Sequence, residues 1–125
     1  MKNSITIVLL FCFSALAQAG KNERFYQEAF CAGQMEYVLS DRTRVDCLTD
    51  AHAIEYDFGK KWSEAIGQSL SYSLETGKRA GIVLILKRKK HYRFWIRLNT
   101  VIDYYQLPID TWKIETWKEP LTLER

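Results

Sequence analysis

Residues 81 to 86 read GIVLIL, six positions without a polar side chain. Charged residues bound the run on both sides, Lys78 and Arg79 before it and Lys87 and Arg88 after it. A short apolar run bounded this way predicts a strand at the centre of a sheet, buried on both faces. A strand of that kind needs cover on each side, so the chain must place helices on both faces of a sheet. The rest of the sequence can be read against that requirement.

Asn22 to about Gly33 spaces Phe25, Tyr26, Ala29 and Phe30 as a helix does, with Asn22 as N-cap and Gly33 as the stop. Met35 to Leu39 predicts a short strand, with Asp41-Arg42 in the turn that follows. Thr43 to Leu48 and His52 to Phe58 alternate apolar and polar residues and predict two further strands. Lys60 to Thr76 carries helical spacing and ends at Gly77. Its residues Lys61, Ala65, Gln68 and Tyr72 share a narrow stripe beside an apolar one of Trp62, Ile66 and Leu70. Tyr92 to Tyr105 predicts an amphipathic helix with Trp95, Leu98, Val101 or Ile102, and Tyr105 inward. Pro108 breaks that pattern, Ile109 to Trp117 predicts a last strand at an edge, and the tail from Lys118 is expected to be loose. The order is helix, three-strand meander, helix, strand, helix, strand. That is an α/β chain with a mixed sheet.

The beginning of the chain has a different character. Lys2, an apolar run from Ile5 to Leu16, and Ala17-Gln18-Ala19 make the layout of a secretory signal peptide. The run is short of the about 20 residues a permanent span needs. Residues 1–19 are therefore expected to be removed after Ala19, leaving residues 20–125 as one domain, exported to the periplasm or beyond and free of the membrane. Beyond the leader two cysteines survive, Cys31 and Cys47. In an exported protein such a pair favours a disulfide, the alternative being two buried thiols. Two cysteines and two distant histidines lack the ligand spacing of a zinc site. The formal charge of +3 is mild and excludes no class of partner. A local cluster matters more than the total.

The chemistry concentrates in residues 44–72. If Thr49 to His52 form a symmetric connection, Leu48 faces Ala53, Asp46 faces Glu55 and Arg44 faces Asp57. Val45, Cys47, Ile54 and Tyr56 then lie on the opposite, core side. Like charges directly opposed across a hairpin are destabilising, so Asp46 and Glu55 call for a cation or a shared proton. Mg²⁺ is held by one or two carboxylates, with water and phosphate oxygens completing its shell. Glu36 is a third candidate ligand, or simply an exposed strand glutamate. Asp57 could pair with Arg44, cap the next helix or join the acids. Lys61 could place positive charge at a reacting phosphate, or be a surface lysine at a helix start. Gln68 and Tyr72 offer an amide and a phenol to a substrate. Lys87, Arg88, Lys89, Lys90 and Arg93 suit sequence-independent contacts to phosphates, and equally a solvated sheet end. His91 lacks a nearby nucleophile to serve as a base.

The order Glu36 … Asp46 … Glu55-Tyr56-Asp57 … Gln68-x-x-x-Tyr72 resembles the PD-(D/E)XK nuclease superfamily, with its restriction-endonuclease-like fold. The Gln-x-x-x-Tyr element is similar to that of its RecB-like branch. The stretch TRVDCLT…AIE-x-DF-x-x-KW-x-EAIGQ-x-L also resembles a group of small, secreted bacterial members. The resemblance implies that Asp46 and Glu55 hold Mg²⁺ or Mn²⁺ together with the Tyr56 backbone carbonyl. It further implies that Glu36 matches the preceding acid, and that Gln68 and Tyr72 support the substrate or the active-site shell. This chain departs from the pattern at one place, Asp57, where the family carries lysine. Lys61, one turn on, is the best replacement. The resemblance thus implies a metal-dependent nuclease that hydrolyses phosphodiester bonds, with DNA favoured over RNA. A nuclease-like module that binds nucleic acid or protein without cleaving is the first alternative. An exported structural or effector protein is the second.

Overall fold

The computed structural model describes residues 20–125; the leader assigned to residues 1–19 lies outside the described residues. The elements run α1 (Glu23–Phe30), β1 (Gln34–Val38), β2 (Arg44–Leu48), β3 (His52–Phe58), α2 (Trp62–Thr76), β4 (Arg79–Leu86), α3 (Tyr92–Tyr105) and β5 (Ile109–Glu115). Single 3₁₀ turns, Gly59–Lys61 and Lys89–His91, lead into α2 and α3. The order is the one the patterning predicts. The strands make one mixed sheet in the order β1-β2-β3-β4-β5, antiparallel from β1 to β3 and parallel from β3 to β5.

The GIVLIL run fixes this architecture physically. It forms most of β4, which pairs with β3 on one side and β5 on the other. Val83 and Ile85 face a core with Tyr26 of α1, Cys47, Tyr56 and Ile114. Ile82, Leu84 and Leu86 face another with Ala65 of α2 and with Phe94, Leu98 and Ile102 of α3. Each fully buried aliphatic side chain contributes about 1.5–3 kcal/mol. One strand therefore anchors both layers.

Local chemistry sets the ends. The Asn22 side chain accepts from the Phe25 N–H at 3.2 Å and caps α1. The helix ends at Cys31, already extended and bonded to Cys47, so it stops before the expected Gly33. Gly33 instead sits where a Cβ would lie 2.0 Å from the Leu48 carbonyl oxygen, a close approach only glycine allows. Gly77 closes α2 at φ 69°, in the left-handed region.

Two expectations give way. Tyr105 is exposed, because α3 buries Phe94, Leu98 and Ile102 and its final turn runs past the sheet. The tail is not loose either. Lys113 and Glu124 exchange backbone hydrogen bonds of 2.7 and 3.0 Å, folding the tail against the outer edge of β5. Glu124 is bonded by Lys113 Nζ at 2.8 Å and by Lys118. These ion pairs offset the cost of ordering the tail and cover an edge strand.

Candidate active site

The hairpin of β2 and β3 has the expected register where it is paired: Leu48 faces Ala53 and Cys47 faces Ile54. Thr49 tightens its turn, the Thr49 N–H donating to the His52 carbonyl at 2.9 Å and the Thr49 hydroxyl accepting from the His52 N–H at 2.9 Å. Past Cys47 the ladder stops. There the Tyr56 N–H donates to the Asp46 carboxylate at 2.8 Å, so a side chain takes the place of a backbone partner. In an extended strand a residue's N–H and C=O point to the same side, so the Tyr56 carbonyl also faces this gap.

Asp46 and Glu55 meet there, their carboxyls within hydrogen-bonding reach of each other. Glu55 is only 5 % exposed, and its Oε2 has no hydrogen-bond partner among the described residues. Burial raises the pKa of Asp46, against the pull of the Tyr56 N–H. Glu55 is raised further, first by burial and then by the charge of Asp46. Burial also raises Tyr72, which sits beside both carboxyls and contacts Glu55. The pair is largely shielded from water and short of positive charge. In a low dielectric, such a pair is costly unless a cation or proton joins it.

The neighbours complete the picture. Asp57, on the same strand, is pushed up to about 7 by burial and by the charge of Glu23, against the opposing charge of Lys61. Its Oδ1 accepts from the Phe58 N–H at 2.9 Å. The expected pairing of Arg44 with Asp57 is not made. Arg44 lies 3.9 Å from Glu36 instead, because the β2–β3 ladder has ended before it reaches Arg44. Glu36 is half-buried on β1 at φ 53°, and its charge adds to the pressure on Asp46. Val45, expected beside Cys47 and Tyr56, packs with Leu39, Ala53 and Tyr72 for the same reason.

The helix residues separate. Ala65, Ser69 and Tyr72 form the buried face of α2, while Lys61 and Gln68 remain exposed. Lys61 is brought to Asp57, whose pKa its charge lowers. Lys87, Arg88, Lys89 and Lys90 are exposed after β4. Of these, Lys87, Arg88 and Lys90 line a cavity of 480 Å³ together with Lys60, Lys61, His91 and Arg93. Cys31 and Cys47 form the disulfide, with 2.01 Å between the sulfurs.

Sequence reasoning missed Glu23. It stands in the first turn of α1, and its charge raises Asp46, Glu55 and Asp57 alike. An acid directly after an N-cap has an ordinary role against the helix dipole, which hid it. One turn on, Gln27 is buried with its Oε1 unpartnered among the described residues. Among the described residues no three His, Cys, Asp or Glu side chains are grouped to hold a metal ion unaided. A cation here would thus take two carboxyls, a backbone carbonyl and oxygens from water or substrate. No protein-family model matches the chain, and no curated protein or solved structure matches it significantly.

Proposed function

We propose that the chain is an exported, divalent-metal-dependent nuclease that hydrolyses phosphodiester bonds, on a restriction-endonuclease-like fold. The observation that carries this reading is the pairing of half-buried Asp46 with buried Glu55 at the opened end of the β2–β3 hairpin, with Glu55 Oε2 unpartnered among the described residues. Two carboxyls in contact, one of them with an orphaned oxygen, are the donor set of a hard cation. Asp46, Glu55 and the Tyr56 carbonyl would hold Mg²⁺ or Mn²⁺, with Glu36 joining through water. Such an ion, when bound, neutralises charge on a phosphoryl group and lowers the pKa of water.

The chain's own residues supply the remainder. The Tyr56 N–H fixes the Asp46 carboxylate, and Tyr72 walls the pair off from solvent on the α2 side. Lys61, on the turn before α2, adds positive charge where a phosphate would collect it during reaction. Exposed Gln68 is available to the substrate, and Lys87, Arg88, Lys89 and Lys90 hold its phosphates. Nucleic acid is the partner, DNA on the resemblance to PD-(D/E)XK nucleases. Export is supported by the layout of residues 1–19 and by a disulfide of the kind that persists in oxidising compartments. No helix among the described residues is long and apolar enough to cross a membrane.

One observation favours a second reading, a binding module without catalysis. Asp57 occupies the motif lysine's place, and the charge of Lys61 is felt at Asp57. Purified protein of residues 20–125 with plasmid DNA and MgCl₂ or MnCl₂, against an EDTA control, separates the two. The nuclease reading expects metal-dependent cutting that Asp46→Ala abolishes. Cutting by Asp46→Ala at the parent rate removes the assigned centre.

A further inference from the structure

The cavity of 480 Å³ beyond the C-terminal ends of β3 and β4 is lined by Phe58, Gly59, Lys60, Lys61, Lys87, Arg88, Lys90, His91 and Arg93. Six of its nine residues are cations and none is an acid. Among the described residues none of the six makes an ion pair; the lysines and arginines that do are at Arg24, Arg44, Arg79, Lys113 and Lys118. Like charges gathered without a counter-charge repel one another, and a bound anion relieves that repulsion.

Backbone geometry adds to the field. Both α2, of 15 residues, and α3, of 14, start at this cavity, each entered through one of the two 3₁₀ turns that line it. Neither helix has a side-chain cap at its N-terminus. Two positive helix ends and their free N–H groups therefore converge on one space. His91 is the independent sign of a ligand. It lines the cavity at 7 % exposure, and its ring has no hydrogen-bond partner among the described residues. Burial and then the surrounding cations hold its pKa below the ordinary value, so it is neutral and offers one N–H. Lys87 Nζ lies 4.2 Å from the centre of the Phe58 ring, an apolar wall beneath the charge. The neighbouring cavity of 520 Å³ shares Lys87 and Arg88 but has Glu119 in its wall.

We propose that the all-cationic cavity, on the Lys61 side of the carboxyl pair, is a phosphate-binding subsite that seats one phosphate group of the nucleic-acid strand other than the one being cleaved. This rests on the nuclease reading only for the source of the phosphate. Position supports that source. Glu55 and Phe58 are three residues apart on β3, about 10 Å at the rise of a strand. The cavity thus lies about 10 Å from the carboxyl pair along β3, within the reach of one short stretch of nucleic-acid strand. A strand held here would be positioned for the pair to act at a fixed distance from the seated group.

The test uses the protein of residues 20–125 carrying Asp46→Asn, in EDTA, so that binding is read without cutting. Labelled single-stranded oligonucleotides bear a 5′-phosphate, a 3′-phosphate or hydroxyl ends, and inorganic phosphate is the competitor. Lys90→Ala with Arg93→Ala, both exposed, is expected to lower the slope of log affinity against log salt by about 1.4, about 0.7 per cation on a single strand. Competition by inorganic phosphate is expected to disappear with it. A gain on one phosphorylated end identifies a terminal group, and equal affinity for all three strands identifies a backbone group. The same change per cation, about 0.7, from Arg24→Ala, an exposed cation on α1, would mean diffuse attraction and overturn the subsite. Phosphate-competable binding without any wild-type cleavage keeps the subsite and ends the nuclease reading. Wild-type cleavage with KM and salt slope untouched by the double substitution does the reverse.

Discussion

The protein gathers carboxylates in two places and treats them in opposite ways. At the β2–β3 gap, Glu55 and Asp57 are buried and Asp46 is half-buried, and the pKa values of all three are raised. At the far edge of the sheet, Glu124 is held by Lys113, Thr122 and Lys118 and pushed down to about 2. Glu115 pairs with Lys113 and Lys118 in the same cluster. Asp110 is likewise lowered, by bonds of 2.8 Å from Arg79 and 2.7 Å to His52. Structural acids here come with their cations, so their ionised form is already stabilised. The acids at the gap leave that requirement to something else, and this distinguishes a site from a clamp.

The largest effect is expected at the gap itself. Asp46→Ala should reduce metal-dependent cleavage to the EDTA background while circular dichroism stays that of the parent. Lys61→Ala comes next, with turnover falling about 100-fold, the scale for removing one positioned electrostatic group. Unchanged turnover would put the needed positive charge elsewhere.

Divalent metal then sharpens the contrast in stability. At a concentration a hundred times its Kd, a metal that binds only the folded state adds about 2.7 kcal/mol. Calorimetry should show that rise for the parent and for Glu124→Gln, but not for Glu55→Gln. Glu55→Gln should also be no less stable than the parent in EDTA, because its carboxyl is already held toward the neutral form.

Opposite signs are expected with pH. Asp57 is pushed up to about 7, so its protonated form is favoured by folding. In EDTA its contribution is full below the ordinary carboxylate value and is lost as pH rises toward about 7. Glu124 is pushed down, so its contribution is full above the ordinary value and is lost as pH falls toward about 2. Melting curves of Asp57→Asn and Glu124→Gln between pH 3 and 8 should each flatten a different limb of the profile. The smallest effect is removal of residues 119–125, a modest loss of melting temperature with cleavage kept.

The sequence showed clearly whatever local periodicity controls. GIVLIL demanded a two-sided sheet, and the turn from Thr49 to His52 carried the register of Leu48 with Ala53 and Cys47 with Ile54. It was silent where a distant partner decides. Glu23 joins the site because α1 folds across the sheet toward β3, a contact no local pattern encodes. Arg44 went to Glu36 because the ladder opens at Asp46, and an alternation pattern does not mark where pairing ceases. The tail carried Pro120 and no periodicity, yet Glu124 reaches back to Lys113 across a separation that only the folded chain closes. Tyr105 had inward spacing, but a helix buries a residue only where a neighbour extends alongside it.

The bond between Cys31 and Cys47 has a mechanical consequence. The two residues stand 16 apart in sequence, and the whole of β1 lies between them. An outermost strand with one neighbour is ordinarily the first to peel away, but here both its ends are tied into a ring. Closing that ring is worth about 3 kcal/mol in the chain-entropy account. Under oxidising conditions the amides of β1 should exchange with solvent only as slowly as those of β2. Reduction of the bond should speed exchange at β1, Glu36 included, more than at β2, with the β1–β2 ladder left to hold the strand alone.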